Sequence, residues 1–167
     1  MILTYQSKLI KKTIIAPHIY HLQCSLPENP DWSYKAGQYM IFHIPQIDGH
    51  PVRRLYSIAS PPSQKTSIDF IIEMVPNGIG SKYVESLKEN DMITLQGPAG
   101  IFTHRATNRP SIYLATGTGI APMYSMIHDF LNNQENPQPL YLFWGLKTCE
   151  DLYIDNELTA LAKSHPQ

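Results

Sequence analysis

Charge is scarce in this chain, cysteine is scarcer, and no apolar run approaches the length a bilayer demands. Only 16% of the 167 residues are charged, and 13 Lys plus Arg against 14 Asp plus Glu leave a formal net charge of −1. A protein that tracks nucleic-acid phosphates needs a basic excess, so nucleic acid is not expected as the main partner. The two cysteines, Cys24 and Cys149, are too few for a disulfide framework or for a four-cysteine zinc or iron–sulfur site. Both read as structural thiols. His18, His21, His43, His50, His104, His128 and His165 are scattered without metal-ligand spacing, and no metal site is expected. No segment reaches the ~18–20 apolar residues that span a membrane. The start, Met1 to Ser7, lacks the basic head and apolar core of a signal peptide. The expectation is a cytoplasmic protein with no membrane insertion. Internal repeats and low-complexity tracts are also missing.

What is present is globular composition, 43% apolar, in a chain long enough to bury roughly 68–70% of its unfolded surface. Its two halves differ in style. Residues 1–104 show short β runs cut by Pro and Gly: Tyr39–Pro45, Ser67–Val75 and Met92–Gln96. In the second run Ile68, Phe70, Ile72 and Met74 alternate with Asp69 and Glu73, the period of a half-buried strand. Turn signals stand at Pro61-Pro62, Asn77-Gly78 and Gly97-Pro98, and one short helix fits Ser81–Leu87. Many short strands at this spacing predict a small antiparallel, Greek-key-like β barrel.

From residue 105 the pattern changes. The compact strand Ser111–Ala115 leads into Thr116-Gly117-Thr118-Gly119 and then Ile120-Ala121-Pro122. A helix pattern follows to Leu131, with Pro122 suited to its first turn. Leu140–Trp144 is a second buried strand, and Thr148-x-x-Asp151 reads as a capping box for a last helix over Leu152–Ala162. Strand–helix–strand–helix is the opening of a doubly wound α/β domain, with the polar stretch His104–Pro110 as linker. Such a domain takes on the order of 100 residues, so this one is expected to be incomplete, with apolar strand faces left uncovered.

Three segments could carry chemistry. Thr116 to Gly119 joins a strand to a helix, where backbone N–H groups and the helix dipole face an anion; a plain connecting turn would look the same. Arg53-Arg54-Leu55-Tyr56-Ser57 puts Arg54 and Tyr56 on one face at period 2, a phosphate clamp beside a stacking platform. It also fits an ordinary barrel strand. Gly78-Ile79-Gly80-Ser81-Lys82 is a second helix start suited to phosphate, or a simple turn with Ser81 as N-cap.

In order, the chain reads Ala36-Gly37-Gln38-Tyr39, Arg54-x-Tyr56-Ser57, Gly78-x-Gly80-Ser81, Gly97-Pro98-x-Gly100-x-Phe102 and Gly117-Thr118-Gly119-Ile120-Ala121-Pro122. This series strongly resembles the ferredoxin–NADP reductase superfamily, in particular bacterial NAD(P)H:flavin reductases and the reductase components of oxygenases. The resemblance implies an FAD-binding barrel over 1–104 and the N-terminal part of an NAD(P)-binding domain over 105–167. It implies that Arg54 clamps the flavin phosphate and that Tyr56 stacks on the isoalloxazine ring. Ser57 would hydrogen-bond near the flavin N5, making Tyr56 and Ser57 the catalytic positions. Leu55, Ile72, Gly78, Gly80 and Ser81 would complete the FAD site, with Gly80 and Ser81 at the pyrophosphate. Thr116 would lie near the flavin, and Gly117, Thr118, Gly119 and Pro122 would face the pyridine nucleotide. The implied reaction is hydride transfer from NAD(P)H to bound FAD, with electrons passing on to an acceptor protein or free flavin.

The chain departs from its relatives in places. Glu73 stands where many carry a basic residue, and Lys147 stands where they often carry Arg, keeping the charge but losing the planar fork. The cysteine–glycine motif near the nicotinamide and the aromatic over the flavin do not occur before Gln167. A flavin-holding electron-transfer unit or fragment without reductase turnover is therefore the alternative expectation.

Overall fold

A computed structural model describes residues 3–29, 31–105, 108–133 and 138–165. The first unit is a six-stranded antiparallel sheet built from β1 (Leu3–Ala16), β2 (Ile19–Cys24), β3 (Tyr39–Ile44), β4 (Val52–Ser57), β5 (Ile68–Glu73) and β6 (Met92–Ala99). Its order is β4-β3-β6-β1-β2-β5. The end strands meet through one bridge, Ile58 to Phe70, so the sheet curls into a barrel whose last seam is barely laddered.

Alternation builds the core. Met40, Phe42 and Ile44 of β3 and Ile93 and Leu95 of β6 turn inward and are 0–2% exposed. Met40, Phe42, Ile93 and Leu95 meet Leu9, Leu22, Ile68, Phe70 and Ile72. Full burial of each such side chain contributes about 1.5–3 kcal/mol. The short helix α1 (Ile79–Ser86) plugs one end of the barrel with Val84, followed by Leu87. It starts two residues earlier than expected, because Gly78 rather than Ser81 is its N-cap.

Strand β5 departs from the half-buried expectation. Its inner face is as read, but Asp69 and Ile71 on the outer face are also buried, and only Glu73 is exposed. The reason is the second unit. Ile71, with Ala16, Ile19 and Ala59, packs against Ala115, Ile120, Ala121 and Tyr153.

That second unit pairs β7 (Ser111–Thr116) with β8 (Leu140–Gly145) in parallel, joined through α2 (Ile120–Asn133) and followed by α3 (Asp155–Ser164). The strand–helix–strand–helix order is as expected, and so is the uncovered face. Ile112, Leu114, Tyr141 and Phe143 are 51–69% exposed. The capping box is real, but it caps a single 3-10 turn, Cys149–Asp151. Helix α3 begins only at Asp155, after Ile154 takes a left-handed φ of 53°.

One serine joins the two units. Ser125 of α2 is fully buried, and its Oγ donates to the Ser60 carbonyl at 2.6 Å. Tyr34 Oη donates to the same carbonyl at 2.9 Å, and Ser60 Oγ accepts the Asp69 N–H at 3.0 Å. Beside it Asp69 holds His21 Nε2 at 3.3 Å and accepts from Ser67 Oγ at 2.7 Å. Burial alone would raise the Asp69 carboxyl, but hydrogen bonds from His21, Ser67 and Gln64 outweigh it and hold the group below its ordinary range.

Candidate functional site

Strand β4 pairs with β3 so that Phe42 faces Arg54 and Met40 faces Tyr56. Cross-strand partners share a face, so Arg54 and Tyr56 stand together, as their spacing predicts. The Tyr56 ring meets Phe42 edge to face at 4.9 Å between centroids. Its far end reaches α1: a Cβ on Gly80 would collide with Tyr56 Oη and lie 3.4 Å from Arg54 Cγ. The tertiary structure thus brings Arg54, Tyr56 and Gly80, separated by a whole strand and turn in the chain, to one place. Burial raises the Tyr56 phenol above its ordinary range, while the Arg54 charge pulls it down. At neutral pH it is a neutral hydroxyl.

Arg54 is exposed, and Nη1 donates to the Arg53 carbonyl at 2.9 Å. That spends one of the five guanidinium donors. Helix α1 has no side-chain cap at Gly78 and no acidic residue in its first turn. The first-turn amides of Ile79, Gly80 and Ser81 have no intrahelical acceptor, as at any helix start, and they lie beside a cation. This donor set fits the phosphates of a dinucleotide, and the half-buried Tyr56 ring fits an aromatic ring system. Ser81 is buried, and its Oγ accepts the Val75 N–H at 2.7 Å. Its hydroxyl braces the turn, which leaves the backbone N–H as its plainest offering. Leu55 is exposed and Ser57 half-buried, both on the other face of β4. Ile72 is 2% exposed in the barrel core, so its main chain is what it can present.

The loop after β7 is held from below. The Gly117 carbonyl accepts Trp144 Nε1 at 2.9 Å and Tyr153 Oη at 3.4 Å. Because the peptide is planar and trans, a carbonyl held inward aims the Thr118 N–H outward. Gly117 has φ +50°, and a Cβ on Gly117 or Gly119 would meet nothing within 4 Å. Packing within the chain does not account for Gly119; close approach of a ligand to the backbone would. Pro122 is buried in the first turn of α2. Thr116, Gly117 and Thr118 line a cavity of about 400 Å³ with His18, Glu73 and Lys147. The two departures from the family pattern, Glu73 and Lys147, therefore face the same space. Arg54, Tyr56 and Gly80 do not line this cavity, so the predicted residues fall into two clusters.

Trp144 and Tyr153 as braces, and Ser60 with Ser125 as the joint between units, were not foreseen. Trp144 reads as one more apolar residue of a buried strand. A serine on the apolar side of α2 was the one available signal for Ser125.

Among the described residues no helix is long and apolar enough to cross a membrane. Residues 6–104 match the model of the oxidoreductase FAD-binding domain, and residues 113–167 match the oxidoreductase NAD-binding domain. Over 98% of its length the chain is 31% identical to terephthalate 1,2-dioxygenase reductase component 1 of Comamonas sp, covering 47% of that protein. It is 30% identical to ferredoxin–NADP reductase B of Sorangium cellulosum, covering 95% of this chain and 65% of that one. The chain spans about half the length of curated relatives such as the Comamonas dioxygenase reductase component. Its fold is shared by solved structures, among them two reductases. The Amycolatopsis cytochrome P450 reductase GcoB superposes with a TM-score of 0.87 at 22% identity, over 99% of this chain and 50% of that one. The ferredoxin–NADP+ reductase of Plasmodium falciparum superposes with 0.82 at 26% identity, over 98% and 66%.

Proposed function

We propose, for a chain that belongs to the FAD- and NAD-binding oxidoreductases of the ferredoxin–NADP reductase superfamily, that it holds FAD on β4 and α1 and takes hydride from NAD(P)H presented by the loop after β7. The units divide near residue 104, with a flavin barrel before it and a pyridine-nucleotide unit after it. The observation that carries the reading is the convergence of Arg54, Tyr56 and Gly80. A clamp for phosphate, a ring for stacking and a glycine that lets the two elements touch are the parts an FAD site needs.

Each residue has a task in this reading. Arg54 and the first-turn amides of α1 neutralise and orient phosphate. Tyr56 keeps water from one face of an aromatic ring, and the Ser57 hydroxyl provides a hydrogen bond at the edge of the site. Thr116 and the outward Thr118 N–H receive the nucleotide, and Trp144 keeps that loop from collapsing. Bound FAD supplies the capacity to accept a hydride and release electrons singly or in pairs; the chain supplies position and field. Electrons pass on to an acceptor protein or to free flavin, in the cytoplasm.

A second reading has its own support. The face formed by Ile112, Leu114, Tyr141 and Phe143 is open, which favours a flavin-binding unit without reductase turnover. An anaerobic titration of the FAD-loaded chain with NADPH and then NADH separates the two. Bleaching of the flavin band is expected. Bound flavin that dithionite reduces and neither nucleotide bleaches would leave the flavin-binding reading standing alone.

A further inference from the structure

Helix α1 carries no basic residue in its last turn, yet the carbonyls at its C-terminal end are not left to water. Lys12, in the middle of β1, reaches across and donates from Nζ to the carbonyls of Val84 at 3.1 Å, Glu85 at 2.8 Å and Leu87 at 2.5 Å. An ammonium has three protons, and all three are used on one helix end. Lys12 is half-buried and paired with Leu22 of β2, so the cation is rooted in the part of β1 that is laddered to β2. The opposite end of α1 is the uncapped one, with Gly78 as N-cap and Gly80 against Tyr56 and Arg54. The two ends of this eight-residue helix are treated in opposite ways: the negative pole is neutralised by a strand-borne cation and the positive pole is left open.

We propose that Lys12 is a positioning residue for the phosphate end of the flavin nucleotide, acting through α1 rather than touching the ligand. Its three bonds fix the tilt and axial position of the helix against β1, which sets where the Ile79, Gly80 and Ser81 amides lie relative to Arg54. Its charge cancels the carbonyl pole that would otherwise weaken the field at the open end. This inference rests on the reading of α1 as the phosphate-holding helix. It predicts a specific signature: Lys12 matters for the dinucleotide part of the cofactor and hardly at all for the isoalloxazine ring, which rests on β4.

The test is equilibrium binding of FAD and of riboflavin to the full chain, wild type and Lys12→Met. The FAD Kd is expected to rise about tenfold, as for loss of charge-assisted bonds at a helix end. The riboflavin Kd should move by less than about twofold. Lys12→Arg, which restores the cation, should recover most of the FAD affinity. Unchanged FAD binding, or equal weakening of FAD and riboflavin, would overturn the proposal, because a purely structural tether would affect both ligands alike. Should Lys12→Met fail to fold, Lys12→Gln carries the same comparison with two N–H donors kept and the charge removed. If the wild-type chain itself binds riboflavin as tightly as FAD, the phosphate role of α1 fails, and that outcome is distinct from a wild-type preference that Lys12 variants leave intact.

Discussion

The phenol of Tyr56 lies directly over Gly80, so close that any side chain on Gly80 would displace it. Strand β4 and helix α1 are locked by this contact, and Phe42 fixes the ring from the other side. The aromatic platform and the helix start cannot move independently.

Gly80→Ala is therefore expected to cost about 1–3 kcal/mol by overpacking. The far end of the Tyr56 side chain is what it meets, but the ring is packed and cannot swing freely. Thermal unfolding should show the melting point falling by roughly 2–4 °C per kcal/mol, and FAD affinity should fall with it. A variant with wild-type melting and wild-type affinity would show that the contact relaxes without consequence.

Tyr56→Ala should loosen flavin, because a stacked aromatic contributes about 0.5–1.5 kcal/mol beyond its buried area. That corresponds to a roughly two- to tenfold weaker Kd by calorimetry. Tyr56→Phe keeps the ring and should stay near wild type. Unchanged affinity in Tyr56→Ala would remove Tyr56 from the flavin site.

The two thiols should behave differently. Cys149 is exposed, whereas Cys24 is buried, and burial with the Asp69 charge behind it pushes that thiol up to about 12. A thiol reagent at pH 8 should titrate one cysteine per native chain and the second only in denaturant. Rapid reaction of both in the native protein would mean that the barrel core opens readily.

Stability should fall on mild acidification. His128 sits on α2 against Tyr124, and the charges of Glu157 on α3 and of His165 just past its end act on it. Burial lowers its pKa below the ordinary 6.5, with His165 adding to the effect and Glu157 opposing it. A group with a depressed folded pKa stabilises fully above its unfolded value, and that contribution is lost as pH drops through the folded one. The urea midpoint at pH 5.5 should lie below that at pH 7.5, and His128→Phe should narrow the gap. His104, lowered by its own burial, keeps the gap from closing entirely. An equal gap in both proteins would show that His128 is not part of the effect.

Much of the fold was legible because its signals are local. Period-2 alternation in β5, the short β runs around it and the Gly-Pro punctuation marked the barrel. The apolar strands β7 and β8 with a glycine turn between strand and helix marked the second unit. The start of α3 was misread for a local reason too. A capping box identifies a helical start but not how long the helix runs, and Ile154 in a left-handed conformation ends the 3-10 turn and begins a new helix. The outer face of β5 was misread for a non-local reason, since one polar residue in an alternating strand looks the same whether it meets water or a buried histidine.

The sequence alone determined the two-unit architecture, the family and the set of residues able to handle phosphate and an aromatic ring, because each depends on residue type at short spacing. Tertiary structure decided which of them meet. Tyr56 touches Gly80, Lys12 caps a helix more than 70 residues away, and Ser125 joins α2 to Ser60. These are contacts between chain segments whose separation no periodicity encodes. They form because the curled sheet closes space around α1 and because burying polar groups costs energy unless each finds a partner.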